Sequence, residues 1–123
     1  MVMIHGFPEL AYSWRWQFPA LTEAGYRAIA YDQRGYGESS KPGNVDAYTL
    51  TNLVADAVGL LDVLGLERAT YVGHDWGSIV VWAAAIMHPE RVQAVVSLNV
   101  PYRGWCAGFP STEVIREKLA GRF

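Results

Sequence analysis

The sequence predicts an α/β fold, with a mostly parallel sheet of about four strands and helices on its faces. Four short segments, 1–4, 27–31, 69–73 and 94–98, are predominantly apolar and have the length of strands. Parallel strands that are covered on both faces have this composition. Segments with helical periodicity separate them, an alternation typical of α/β folds. The 123 residues, 51% of them hydrophobic, suit one domain with a real core.

The first connection contains a helical segment from Ser13 to Ala24. We expect Pro19 to begin a second helical piece, because proline suits the first turn of a helix. Gly25 is expected to end that helix, since glycine readily adopts the backbone that follows a last helical turn.

The second connection shows the clearest helical pattern. Its apolar residues recur at helical spacing: Leu50, Leu53, Val54, Ala57, Leu61 and Leu64. Gly65 is expected to close this helix. Gly59 lies inside it, where glycine costs about 1 kcal/mol relative to alanine. We therefore expect a close packing contact at Gly59.

The most informative motif is Gly73-His74-Asp75-Trp76-Gly77, between the third strand and a helix. A nucleophile elbow has this form, because small residues flank a central residue with a strained backbone. Amides at the start of the helix then point at the reacting group and favour negative charge there. Asp75 is the candidate nucleophile, and Gly73, His74 and Gly77 support the turn.

An aspartate nucleophile restricts the chemistry. Attack on an acyl group would give a reactive anhydride, whereas attack at a saturated carbon gives an alkyl ester that water can cleave. The expected substrate is therefore a small molecule such as an epoxide or an alkyl halide. The structural alternative is that Asp75 only caps the next helix, by accepting hydrogen bonds from its first amides.

A second motif, His5-Gly6-Phe7-Pro8-Glu9, follows the first strand. Gly6 permits a turn that a side chain would block, and Pro8 fixes the direction in which the chain leaves. Such a loop can bring the Phe7 amide beside the Trp76 amide, and two converging amides form an oxyanion hole. We interpret His5 as a buried residue that braces the loop rather than a proton-transfer group.

Four motifs together resemble the α/β-hydrolase-fold epoxide hydrolases and cover nearly the whole chain. They are His5-Gly6-Phe7-Pro8-Glu9, Tyr31-Asp32-Gln33-Arg34-Gly35-Tyr36-Gly37-Glu38-Ser39, Gly73-His74-Asp75-Trp76-Gly77 and Leu98-Asn99-Val100-Pro101-Tyr102. The resemblance implies that Asp75 is the alkylated nucleophile and that the Phe7 and Trp76 amides form the oxyanion hole. It also suggests a cis bond into Pro8.

The segment from Asp32 to Ser39 is interpreted as scaffolding, because its glycines and short polar side chains suit a hydrogen-bonded turn. Asp32 and Arg34 are expected to pair within it. The spacing Gly35-x-Gly37 lacks the third glycine of a dinucleotide site, so no cofactor is predicted. No metal site is predicted either, because no histidine has metal-ligand spacing with another histidine or with Cys106.

Complete members of the family resemble this chain only in their first half. Beyond that half, complete members have a helical cap, which supplies tyrosines that protonate the opening epoxide. Their later strands supply a relay acid and the histidine that activates water. We therefore expect a chain truncated at both ends, with a partial α/β-hydrolase core at 1–103 and the start of the cap region at 104–123. A hinge is expected at 101–110, and a last helix capped by Ser111. Ring opening without turnover is the expected activity.

By the family's strand order, strands 27–31 and 94–98 would be the edges of the sheet. Edge strands carry unpaired backbone groups, so we expect marginal folding or self-association. The net charge of −2 and the lack of a basic cluster argue against nucleic acid as a partner. No apolar run is long enough to span a membrane. The single cysteine, Cys106, fits a reducing cytoplasm.

Two alternatives to an epoxide hydrolase fragment stay open. A haloalkane dehalogenase-like fragment would also carry Asp-Trp at the elbow, but that family typically has asparagine after His-Gly, where this chain has Phe7. A fluoroacetate dehalogenase ranks lower, because it would be expected to carry arginine in place of Trp76. The other alternative is a non-catalytic split or truncated chain that needs a partner, because the relay acid and the base histidine are missing.

Overall fold

The computed structural model describes residues 1–102 and contains a four-stranded sheet. Its strands are β1 (Val2–Ile4), β2 (Ile29–Tyr31), β3 (Ala69–His74) and β4 (Val92–Leu98). Neighbouring strands are parallel throughout, in the order β2-β1-β3-β4. The predicted α/β class is therefore confirmed. The two strands expected at the edges, β2 and β4, are the edges of the described sheet.

The described connections between the strands are helical. The α-helices are α1 (Gln17–Glu23), α2 (Leu50–Val63) and α3 (Trp76–Met87), and 3-10 helices span Ala11–Trp16 and Val45–Tyr48. Parallel pairing requires such crossovers, because each chain segment must return to the same end of the sheet. None of the described helices is both long and apolar enough to cross a membrane.

The sheet separates two clusters of buried side chains. Because successive strand residues point to opposite faces, Val2 and Ile4 pack on one face while Met3 packs on the other. The first face is covered by α2 and α3, with the fully buried residues Val54, Ala57, Leu61, Val80, Val81 and Ala84. The second face holds Met3, Val72 and Trp14, with Phe18 and Leu21 packed against them.

The first connection differs in detail from the prediction. Its helical part begins at Ala11, as a 3-10 helix, and the break falls between Trp16 and Gln17 rather than at Pro19. Pro19 is the third residue of α1, which is allowed because amides of the first turn have no partner inside the helix. Gly25 follows α1 with φ 81, as expected for a residue that ends a helix.

Helix α2 has the predicted extent, and Gly65 follows it with φ 66. The close contact expected at Gly59 is wrong, because a Cβ built there would meet nothing within 4 Å. The cap region at 104–123, most of the hinge at 101–110, and the helix capped by Ser111 lie outside the described residues.

Candidate active site

Polar residues meet at the carboxyl edge of the sheet. His5 follows β1, Asp32 follows β2, Asp75 follows β3, and Asn99 follows β4. In open parallel sheets, ligands bind in the crevice outside these strand ends. Because β1 and β3 are neighbours, the loop that starts at His5 lies beside the turn that contains Asp75.

The turn after β3 is strained and tightly packed. Asp75 has φ 51 and ψ −119, a backbone conformation that residues with side chains rarely adopt. A Cβ on Gly77 would overlap the carbonyl oxygen of Ile4, and a Cβ on Gly73 would overlap the carbonyl group of Gly77. Only glycine fits on either side, which explains the small-x-Asp-x-small pattern.

The Asp75 carboxylate faces the loop after β1. The Phe7 amide donates to Asp75 Oδ1 at 3.0 Å, whereas no amide of the described helix α3 makes a side-chain capping bond to it. The Phe7 amide, and to a smaller extent the Trp76 amide, holds the pKa of Asp75 below its usual value. The Trp76 amide does so without reaching full hydrogen-bond geometry. The capping interpretation of Asp75 is therefore wrong, and the carboxylate is ionised at neutral pH.

The loop after β1 approaches Asp75 through its backbone. A Cβ on Gly6 would lie 2.5 Å from the Cβ of Asp75, so a side chain there would displace the loop. The Gly6 carbonyl accepts a hydrogen bond from the Glu9 amide at 3.0 Å, which closes a tight turn. The peptide bond between Phe7 and Pro8 is cis.

His5 is fully buried behind this loop. Its Nδ1 lies 2.9 Å from the Gly6 carbonyl oxygen, and its Nε2 accepts from the Gln33 amide at 3.0 Å. The Gln33 side chain donates back to the His5 carbonyl at 2.7 Å. The Tyr36 ring packs edge-on against the imidazole, with 4.9 Å between ring centroids. Both imidazole nitrogens are thus occupied away from Asp75.

His74, which precedes the candidate nucleophile, lies in a polar chain beside the turn. Its Nδ1 is 3.1 Å from Glu9 Oε2, and its Nε2 is 3.1 Å from Asn99 Nδ2. The Asn99 Oδ1 accepts from the Asp75 amide at 3.2 Å. In residues 1–102, no histidine nitrogen makes a hydrogen bond to the Asp75 carboxylate.

Comparison with known proteins gives the same fold for nearly the whole chain. A family profile described as alpha/beta hydrolase fold matches residues 1–121. The chain belongs to the α/β-hydrolase fold family. Epoxide hydrolase A of Mycobacterium tuberculosis is 53% identical to it over 123 residues, which are 100% of this chain and 38% of that protein. Epoxide hydrolase 3 of Siraitia grosvenorii is 48% identical, over 100% of this chain and 39% of that protein.

Solved structures show the same relationship. The crystal structure of Epoxide Hydrolase A from Mycobacterium thermoresistibile has a TM-score of 0.86 and 53% identity, over 96% of this chain and 37% of that chain. The crystal structure of an epoxide hydrolase from Vigna radiata has a TM-score of 0.79 and 48% identity, over 83% of this chain and 32% of that chain. The α/β-hydrolase chain described here thus spans less than two fifths of these relatives.

One pairing expected within this α/β-hydrolase scaffold is wrong. Arg34 does not pair with Asp32 but with Asp56 of α2, through Nε–Oδ2 and Nη2–Oδ1 contacts of 2.5 Å each. It also donates to the Ala47 carbonyl at 2.7 Å. Asp32 instead accepts from the Ala11 amide at 2.7 Å. The pairing partner lies 22 residues away from Arg34 on a helix, so only the folded topology brings the two together.

Sequence reasoning missed three residues that contact the site. Glu9, Gln33 and Asn99 each make a hydrogen bond to a residue of the two functional turns. All three lie inside the motifs that carried the family resemblance. Gln33 and Asn99 also follow closely on the carboxyl ends of strands, which is the signal that could have identified them.

The amino end of the sheet, opposite the candidate site, has a different character. A shallow depression there is lined by Asp62, Leu66, Glu67 and Arg91, among others. Arg91 contacts Asp62 Oδ1 at 2.5 Å and donates to the Glu67 carbonyl at 2.8 Å, so it connects the turn before β4 to the end of α2 and the loop that follows it. In the described part of the chain, no group of His, Cys, Asp and Glu side chains is arranged to hold a metal ion.

Proposed function

We propose that this chain carries the epoxide-opening part of an epoxide hydrolase site, with Asp75 as the nucleophile. The observation that supports the proposal most strongly is the Asp75 carboxylate, held at a strained turn with one oxygen on the Phe7 amide. The similarity to proteins named epoxide hydrolases points to the same substrate class.

The proposed step is a substitution at a ring carbon of the epoxide. One Asp75 carboxylate oxygen forms a bond to that carbon, and the ring C–O bond breaks with its electron pair on the epoxide oxygen. That oxygen takes a proton from a water molecule, which leaves as hydroxide and carries away the negative charge. The product is a hydroxyalkyl ester on Asp75, and it is neutral, so its formation consumes the carboxylate charge.

The Phe7 and Trp76 amides are proposed to form the oxyanion hole for cleavage of this ester. When water attacks the ester carbonyl, negative charge develops on the oxygen that these amides face. His5, Gly6 and Pro8 would hold the first amide in place. Gly73, His74 and Gly77 would hold the second.

We further propose that the chain alone opens epoxides without turning them over. Activation of water requires a base near the ester, and the histidine nitrogens described above bond to other groups. The alkyl ester should therefore accumulate. Sustained diol release that depends on Asp75 would contradict this part of the proposal.

Intact-protein mass spectrometry after incubation with excess styrene oxide tests the proposal. We expect a single stable adduct on the parent chain and none on Asp75→Asn. Asp46→Asn is the matched control, because Asp46 is an exposed aspartate outside the site, and its adduct should equal that of the parent. An adduct that persists in Asp75→Asn, or no adduct on the parent, would refute the assignment. An adduct with a bromoalkane but not with styrene oxide would favour a dehalogenase-like site.

We also propose that the chain self-associates through β4. This strand is an edge of the described sheet, and its Val96 and Leu98 are 42% and 43% exposed. Sedimentation across a range of concentrations should show dimers or larger species, and Val96→Lys should reduce them.

The single Cys106 favours the cytoplasm as the compartment, which fractionation of expressing cells would test.

A further inference from the structure

We propose that His5 and Gln33 are positioning residues, which orient the peptide group between Gly6 and Phe7 so that its N–H points at Asp75. The inference rests on the proposed function, because it assigns a cause to the placement of one oxyanion-hole donor. Neither residue contacts the Asp75 carboxylate; both act through the backbone of the loop.

The Gly6 carbonyl and the Phe7 N–H are opposite ends of one planar peptide group. The carbonyl oxygen accepts hydrogen bonds from His5 Nδ1 at 2.9 Å and from the Glu9 amide at 3.0 Å. The N–H of the same group lies 3.0 Å from Asp75 Oδ1. Because the group is rigid, two hydrogen bonds on its oxygen fix the direction of its N–H. Hydrogen bonds in such a chain also polarise one another, which strengthens the donor.

Gln33 determines which His5 nitrogen carries the proton. The Gln33 backbone N–H can only donate, so His5 Nε2 must accept and the proton of the neutral ring must be on Nδ1. That proton is the one that reaches the Gly6 carbonyl. The opposite tautomer would bring two N–H donors together at Nε2 and leave the Gly6 oxygen facing a lone pair.

Gln33 is itself held firmly. It is 5% exposed, and its side chain donates to the His5 carbonyl at 2.7 Å. The next residue, Arg34, is fixed by its paired contacts with Asp56. The turn after β2 therefore controls the turn after β1, although only the latter touches the carboxylate.

The first test needs no variant. Nitrogen-15 NMR of the imidazole at neutral pH should show His5 with a protonated Nδ1 and an unprotonated Nε2. A protonated Nε2 in the neutral ring would overturn the proposal, whatever the chain does to epoxides.

The second test uses Gln33→Met, which keeps the backbone N–H that selects the tautomer and removes the side-chain hydrogen bond to the His5 carbonyl. Gln17→Met is the matched control on the exposed surface of α1. The alkylated chain is treated with hydroxylamine, which attacks the Asp75 ester carbonyl, releases the alcohol and leaves a hydroxamate. Loss of a whole oxyanion-hole donor costs about 10²–10³ in rate, and a misdirected donor less, so we expect about a tenfold slower cleavage in Gln33→Met. The rate of alkylation should change less. Alkylation removes negative charge from the carboxylate, whereas ester cleavage builds negative charge on the carbonyl oxygen.

Carbon-13 titration of the Asp75 carboxyl group gives a readout that is independent of epoxide chemistry. Gln33→Met should raise the pKa of Asp75 toward its usual value, because the Phe7 amide is the main cause of the lowering. Unchanged titration and unchanged ester cleavage in a folded Gln33→Met would refute the inference while leaving the proposed function intact. If the parent chain fails to alkylate, the proposed function is refuted, and the tautomer and the titration still decide the inference.

Discussion

Two aspartates follow the strands on either side of β1, and the structure uses them differently. Asp32 comes after β2 and accepts from the Ala11 amide at 2.7 Å. Asp75 comes after β3 and accepts from the Phe7 amide at 3.0 Å. Each therefore binds a backbone amide of the first connection through one carboxylate oxygen.

The difference lies in the backbone and in the second oxygen. Asp75 has a positive φ of 51, and Asp32 does not belong to the residues with positive φ. The second oxygen of Asp32 lies so close to Gly37 that a Cβ there would overlap it. Within residues 1–102, no donor reaches full hydrogen-bond geometry at the second oxygen of Asp75. The same kind of hydrogen bond therefore stabilises a turn at Asp32 and, in the proposed function, orients the nucleophile at Asp75.

The largest expected effect comes from the glycine next to the reactive turn. Gly77→Ala places a Cβ against the Ile4 carbonyl, which is backbone and cannot rotate away. We expect a loss of about 3 kcal/mol in the free energy of unfolding, at the upper end for overpacking. Urea denaturation followed by tryptophan fluorescence measures it. A loss below about 1 kcal/mol would mean that the strand and the helix can separate locally.

The next largest difference in the free energy of unfolding is expected between variants that lack Asp32 and variants that lack Asp75. Asp32→Ala leaves the partly buried Ala11 amide without its acceptor, and we expect a loss of about 2 kcal/mol. Asp75→Ala should change the stability by less than about 0.5 kcal/mol or raise it, because groups selected for chemistry are often costly to the fold. Parallel denaturation curves of the two variants decide this. Equal losses would show that Asp75 has the same structural role as Asp32.

The pH dependence of alkylation gives the third test. The carboxylate is the reactive form and its pKa is lowered, so the reactive form is complete at neutral pH and disappears only in acid. The alkylation rate should be level from neutral pH through the usual titration range of an aspartate, and fall about tenfold per unit only below the lowered pKa. Adduct formation measured by mass spectrometry at several pH values checks this. A decline between pH 7 and 5 would indicate a second ionising group.

The smallest effect is a gain at a glycine outside the two turns. Gly59 lies within α2 with open space around it, so Gly59→Ala should raise the free energy of unfolding by about 1 kcal/mol. Thermal denaturation measures the change. The opposite sign at Gly59 and Gly77 would show that the elbow glycine is required by contact rather than by glycine's general backbone freedom. A destabilised Gly59→Ala would contradict the open space.

The fold was largely predictable because its signals are local. Buried parallel strands such as Ala69–His74 are apolar over most of their length, and α2 shows helical spacing with glycine at its end. The 3-10 start at Ala11 was not predictable, because short helices of this type carry no periodic apolar pattern.

The geometry around Asp75 was predictable where it depends on a single motif, and not where it depends on contacts between distant residues. Asp75 and Phe7 stand in recognisable turns. The predicted partner of Arg34 was wrong, because its actual partner, Asp56, becomes a neighbour only when α2 packs beside the sheet. The contact of Asn99 with the Asp75 amide depends on the pairing of β3 with β4, which no local pattern records.

The amides that face Asp75 belong to residues whose rings point elsewhere. Phe7 and Trp76 are 64% and 54% exposed, whereas their N–H groups interact with the Asp75 carboxylate. Any amino acid other than proline supplies the same N–H at these positions. On the proposed function, mutagenesis libraries at 7 and 76 would therefore change the surface beside Asp75 while the amide donors stay in place. Selectivity could then be engineered at these two positions separately from reactivity.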